Sequence, residues 1–174
     1  MHRKLALTAI LAVSLVVTGR AQKTEPPAPE LRRPSFSGTW NIDQAATDAA
    51  NTPTRSAGGR LVSMPTGFPM TIKQTADSII IERPGGDGGA TITTTYKLDG
   101  VEREVRIGPS TAKAKARWDS DKIVIETVRT GQDGPPVTTI AIYAIDKDGV
   151  LWVETKAPQG TTRRAYKRSP GETA

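Results

Sequence analysis

From residue 70 to residue 168 the chain alternates apolar and polar side chains with a period of two, interrupted at short intervals by turn-forming residues. That period puts successive side chains on opposite faces of an extended chain and predicts half-buried β-strands. The segments are 70–74, 78–83, 91–98, 101–107, 111–118, 122–129, 137–145, 150–156 and 161–168. Thr75-Ala76-Asp77, Asp99-Gly100, Asp119-Ser120-Asp121 and Lys147-Asp148-Gly149 lie between neighbouring segments and read as tight hairpin turns. Asp99-Gly100 is the strongest of these signals. Residues 84–89 and 130–136 are Gly/Pro loops, and Ala157-Pro158-Gln159-Gly160 turns into the last strand.

An earlier strand starts at Phe36. Phe36, Gly38, Trp40 and Ile42 share one face, with Ser37, Thr39 and Asn41 on the other. Trp40 on the inner face is placed to plug one end of a closed sheet. Residues 43–50 predict a short helix with Asp43 as its N-cap, and residues 51–69 are broken by Pro53, Gly58, Gly59, Pro65, Gly67 and Pro69. Short turns make sequential strands neighbours, so the predicted fold is all-β: a single antiparallel up-and-down β-barrel of about ten strands, since a sheet that wide curls closed. Segment 111–118 fixes the inner face. Lys113, Lys115 and Arg117 must meet water, so Ala112, Ala114, Ala116 and Trp118 face in. That row of small residues either leaves room for a cavity or is filled from the opposite wall.

The first 35 residues follow a different pattern. Arg3 and Lys4 precede an apolar run of about a dozen residues, and Gly19-Arg20-Ala21 offers small residues for cleavage, the layout of a secretory signal peptide over residues 1–21. Arg20 stands where a lipidated Cys would be required, which excludes a lipid anchor. Residues 22–35 form a Pro-rich tether, 36–168 the barrel, and 169–174 a disordered tail. The expected product is an exported monomer, periplasmic or extracellular, cleaved near Ala21 and without a transmembrane domain once mature.

Composition narrows the chemistry. There is no Cys, and the single His is His2 in the leader. Thiol catalysis, His-based triads and the usual zinc sites are therefore excluded from the mature chain. The net charge of +6 includes Arg3, Lys4 and Arg20 of the leader, which has no acid, so the remainder carries +3. That is no nucleic-acid footprint. Most Asp residues sit in turns, and no acid–base pair for catalysis can be assigned. Glu102, Glu104 and Arg106 in one row and Lys113, Lys115 and Arg117 in another contradict an outer-membrane barrel, whose outward faces must be apolar.

Several short motifs, in order, resemble the calycins, the superfamily of lipocalin and fatty-acid-binding barrels, and most of all its exported bacterial lipocalin-like members. Phe36-Ser37-Gly38-Thr39-Trp40 resembles their opening strand, and Arg117-Trp118-Asp119 an internal hairpin entry. Residues 148–154 (DGVLWVE) and 164–167 (RAYK) resemble their closing strands. The resemblance implies that Arg164 and Tyr166 point inward and hold a ligand carboxylate. A second inward Arg, usual in that family, is missing from 137–145. The resemblance also implies a basic residue of the last strand stacked on the first-strand Trp, and Arg164 and Arg168 are both placed to do this.

The expected function is binding of a small apolar or amphipathic ligand, hydrophobic or carboxylate-bearing, inside the barrel. Arg164 and Tyr166 are the expected polar anchors, Trp40 the closed end, and Tyr96, Tyr143 and Trp152 the aromatic lining; residues 45–50 and 51–69 border the mouth. No cofactor or metal is expected. The alternative is a solid-core structural or interaction module of the cell envelope, favoured by an open sheet edge near Val137 or Thr161. An enzyme is the third reading, and the composition argues against it.

Overall fold

The computed structural model describes residues 33–51, 67–131 and 134–171. The expected leader, nearly all of the tether, most of the 51–69 segment and the last three residues lie outside them. The order is β1 (Gly38–Asp43), α1 (Gln44–Ala50), β2 (Met70–Gln74), β3 (Ser78–Arg83), a short 3-10 turn (Gly86–Gly88), β4 (Ile92–Lys97), β5 (Arg103–Ile107), β6 (Ser110–Asp119), β7 (Lys122–Arg129), β8 (Val137–Ile145), β9 (Leu151–Ala157) and β10 (Gly160–Arg168). Every element sits within a residue or two of its sequence-predicted position, the ordinary scatter of strand ends.

All ten strands form one antiparallel meander in the order β4-β3-β2-β1-β10-β9-β8-β7-β6-β5. The first and last strands pair, with Trp40 opposite Arg168 and Ile42 opposite Tyr166, so the sheet curls into a nearly closed barrel. Val137 pairs with Arg129 and Thr161 with Lys156, and the strands that carry them, β8 and β10, each have a neighbour on both sides. Among the described residues no helix is long and apolar enough to cross a membrane.

The one seam lies between β4 and β5, where the sequence predicts a hairpin. Asp99-Gly100 does reverse the chain, and Gly100 takes the left-handed φ of 75° that its lack of a Cβ allows. The turn binds β6 instead of zipping β4 to β5. Asp99 bridges to Arg117, and the Gly100 N–H donates to the Ala116 carbonyl at 2.8 Å. Arg103 holds the Asp99 carboxylate at 2.7 Å with both terminal nitrogens, and the Val101 N–H donates to it at 3.0 Å. These bonds consume the residues that a tight hairpin needs as its first rungs. A cleft of about 80 Å³ remains at the seam, bordered by Tyr96, Val105, Ala114 and Ala116.

One end of the barrel is packed solid. Phe36, Trp40, Ile72, Ile79, Ile123 and Leu151 are fully buried there, and Leu98 joins them. Each such side chain contributes about 1.5–3 kcal/mol by leaving water. The Trp40 Nε1–H donates to the Phe36 carbonyl at 2.9 Å, so the indole is buried without an orphan donor. Arg168 covers the ring at 4.4 Å and donates to the Ser37 and Ser35 carbonyls. Between the two expected stacking partners of Trp40, the structure selects Arg168, which leaves Arg164 free for the interior.

Asp43 caps α1 as expected, accepting from the Ala46 N–H at 3.1 Å. The helix does not border the barrel mouth; it lies along β10. Beyond Asp43, β1 no longer pairs with β10, and α1 supplies what the ladder lacks. The Thr47 hydroxyl accepts from the Ala165 N–H at 3.0 Å. The Asn51 side-chain amide accepts from the Arg163 N–H at 3.0 Å and donates to the Arg163 carbonyl at 2.7 Å. Two polar side chains thus satisfy backbone groups that a strand would otherwise pair.

Candidate functional site

Away from the packed end the barrel is hollow. A cavity of about 530 Å³ opens between the end of β3, the start of β4, the ends of β5 and β7, and β10. That is within the usual range of about 300–1,000 Å³ for small-molecule sites. Its apolar wall includes Ile81, Ile125, Ala141 and Val153, with Phe68, Ile92 and Ile107 also on the lining. Four threonines, Thr94, Thr127, Thr139 and Thr155, add hydroxyls from four strands. The Ala112–Ala114–Ala116 face, buried as expected, does not line this space. Ala114 and Ala116 belong to the packed cluster and to the small seam cleft, so the room in the interior lies elsewhere.

Period two puts Arg164 and Tyr166 of β10 on the inner face, and both line the cavity. Register sets their neighbours. Val153 lies opposite both Arg164 and Tyr143, so Arg164 and Tyr143 flank one valine across β8, β9 and β10. Tyr143 and Tyr96 are buried and also line the cavity. Gly67 closes in from the segment before β2. A Cβ there would stand 2.5 Å from the Ile42 Cδ1 and 3.1 Å from the Tyr166 hydroxyl, so a side chain at this position would have to push both aside.

The other two expected lining residues are elsewhere. Trp40 is sealed in the packed end under Arg168. Trp152 alternates with the inward Leu151 and Val153 and so faces out; its Nε1–H donates to Asp146 at 2.9 Å and Arg163 covers its ring at 4.8 Å. Residues 45–50 do not line the cavity either; of the preceding-loop residues described, Gly67 and Phe68 do.

Two cavity residues escaped the sequence reading. Arg83 ends the inward row Ile79, Ile81, Arg83, and Arg129 ends the inward row Ile123, Ile125, Thr127, Arg129. Extending the alternation by one step along each strand finds both. Arg83 donates to the Tyr143 hydroxyl at 3.0 Å. It is accessible to water where it lines the cavity.

Tyr96 and Tyr166 are donors here. Burial first, then the neighbouring Tyr143, push the Tyr96 phenol up to about 12, against the opposing pull of Arg83 and Arg129. Burial also raises Tyr166, opposed by Arg83 and Arg164. Both stay protonated at neutral pH. Tyr143, before all other neighbours, holds the Arg83 guanidinium above its ordinary value, against the opposing effect of burial. Among the described residues no group of three His, Cys, Asp or Glu is placed to hold a metal.

No protein-family model matches the chain, and no curated protein matches it. Among solved structures it is similar to a REP1-NXSQ fatty acid transporter, at 19% identity and a TM-score of 0.50 over 78% of this chain and 97% of that one. It is also similar to a SAHS protein from Ramazzottius varieornatus, at 18% identity and a TM-score of 0.51 over 77% of this chain and 95% of that one. This chain is a calycin-like barrel in fold. At such identities the likeness extends to the fold alone.

Proposed function

We propose that this barrel binds a small amphipathic anion in its cavity. The apolar part lies against Ile81, Ile125 and Val153, and Arg164 and Tyr166 hold the acidic group. The single observation that carries this is the hollow interior into which β10 presents Arg164 beside Tyr166 above an apolar wall. A guanidinium with a protonated phenol beside it supplies charge-assisted and neutral donors to one anion. The fatty acid transporter among the structural neighbours supports the same class of ligand. The protein acts after export, with residues 1–21 removed.

Native mass spectrometry of the purified protein, compared with its denatured mass, tests the binding. A bound molecule appears as an extra non-covalent mass of a few hundred daltons, on the order of what such a cavity holds. Titration with dodecanoate should raise the melting temperature by linkage, and Arg164→Ala should shrink that rise. No retained mass and no dodecanoate-induced shift would reject the reading. N-terminal sequencing of protein secreted by its host tests the export step, with Gln22 as the expected first residue.

A further inference from the structure

The charge inside the cavity exceeds what one carboxylate needs. Arg83, Arg129 and Arg164 all line it, from β3, β7 and β10, and no Asp or Glu is among the lining residues. Among the described residues none of the three forms an ion pair. Among the described residues, the only hydrogen bond any of their side chains makes is from Arg83 to Tyr143. That partner is a tyrosine hydroxyl, not a carboxylate. A guanidinium carries five N–H donors, so nearly all the donors of the three are unused by protein.

The outer surface of the same barrel is different. There Lys73, Lys97, Arg103, Lys115 and Lys167 each meet an acid within 4 Å. The cavity is therefore not unpaired because acids are scarce. A sphere of the cavity's volume is about 10 Å across, comparable to the Debye length in physiological salt, so the three charges act on one occupant together. The Tyr96 and Tyr166 phenols add donors without adding negative charge.

Resting on the ligand-binding reading above, the geometry points to a phosphate monoester with a compact apolar body as the occupant. Its head group has three terminal oxygens and about two negative charges once its second proton is lost near pH 6. Three guanidinium groups from three walls match that head group better than they match a carboxylate, which offers two oxygens and one charge. Ile81, Ile125, Ala141 and Val153 take the body.

Octyl phosphate, octyl sulfate and octanoate separate the possibilities, since the chain is constant while charge and shape change. Isothermal titration of the purified protein with each is done at about pH 8, where the phosphate is dianionic. Octyl phosphate is expected to bind at least about tenfold more tightly than either monoanion. The ratio should fall at least about fivefold in Arg129→Gln, a strand-end substitution, with circular dichroism confirming the fold. Octyl sulfate as tight as octyl phosphate, or octanoate as tight or tighter, overturns the phosphate assignment and leaves the ligand-binding reading standing. An unchanged ratio in Arg129→Gln also overturns it. No binding of any of the three overturns both.

Discussion

Arg168 lies over Trp40, its guanidinium carbon 4.4 Å from the ring centroid, and donates to the carbonyls of Ser37 and Ser35. One residue so placed both covers the packed end and ties the strand that starts the barrel to the strand that ends it. Arg164, four residues earlier, has no protein partner among the described residues and faces the cavity. The two arginines therefore respond differently to removal. Arg168→Ala should lose about 1–3 kcal/mol of stability in chemical denaturation. Arg164→Ala should change it by less than about 0.5 kcal/mol, since it breaks no hydrogen bond or ion pair among the described residues. Arg168→Lys should not restore the loss, because an ammonium lacks the fork that reaches two carbonyls. Equal losses for the two alanine variants would contradict this division.

Thr47 is fully buried, and its hydroxyl takes the Ala165 N–H at the last rung of the β1–β10 ladder. Thr47→Val keeps the shape and removes the acceptor. It is expected to cost about 1–3 kcal/mol, the penalty of an orphaned buried donor. Hydrogen exchange at the Ala165 amide should speed up in the same variant, while Thr47→Ser keeps both stability and protection. Unchanged exchange at Ala165 would assign the helix a packing role only.

The seam turn makes a pH prediction. The Arg103 side chain first, and the Val101 N–H second, lower the Asp99 carboxyl from 3.8 to about 2. A depressed carboxylate stabilises the fold at pH values above its unfolded value, and that contribution is lost as pH falls through the folded one. The turn should therefore loosen between about pH 4 and pH 2. Carboxyl NMR titration should show Asp99 protonating near 2, well below an ordinary 3.8, and Arg103→Gln should bring it back toward 3.8. An Asp99 midpoint near 3.8 in the unmodified protein would mean that the fork is not closed in solution.

At the other end of the pH scale, Tyr96 should ionise last among the tyrosines that burial raises, near 12 against an ordinary 10.0. The folded state then holds its proton longer than the unfolded chain does, so stability should fall as pH rises from about 10 toward 12. Absorbance titration of tyrosinate checks this. The late step should be missing in Tyr96→Phe and present in Trp152→Phe, whose side chain faces outward.

Much of the fold was legible because most of it is local. Thr75-Ala76-Asp77 and Lys147-Asp148-Gly149 reverse the chain, and the strands on either side pair simply because they are adjacent. The seam was not legible for the complementary reason. Asp99-Gly100 carries the same turn chemistry, but its partner is Ala116, which arrives later in the chain. Arg164 and Tyr166 were readable from their spacing, whereas Arg83 and Arg129 sit on the last inward step of strands whose polar ends look like loop. Trp152 misled because Leu151, Trp152 and Val153 are all apolar, so alternation gives that stretch no face. Only the register to Tyr143 and Arg164 shows that Val153 is the inward one.

The pairing of β10 has a consequence for chain completeness. This strand stands between β1 and β9, so a chain stopped before residue 160 uncovers two edges at once, from strands at opposite ends of the sequence. Unpaired edges of that kind are templates for association with other chains. The Thr47 and Asn51 side chains would face the same gap with nothing to bind. Solubility is thereby coupled to finishing the polypeptide, and an interrupted product marks itself by sticking to its own kind.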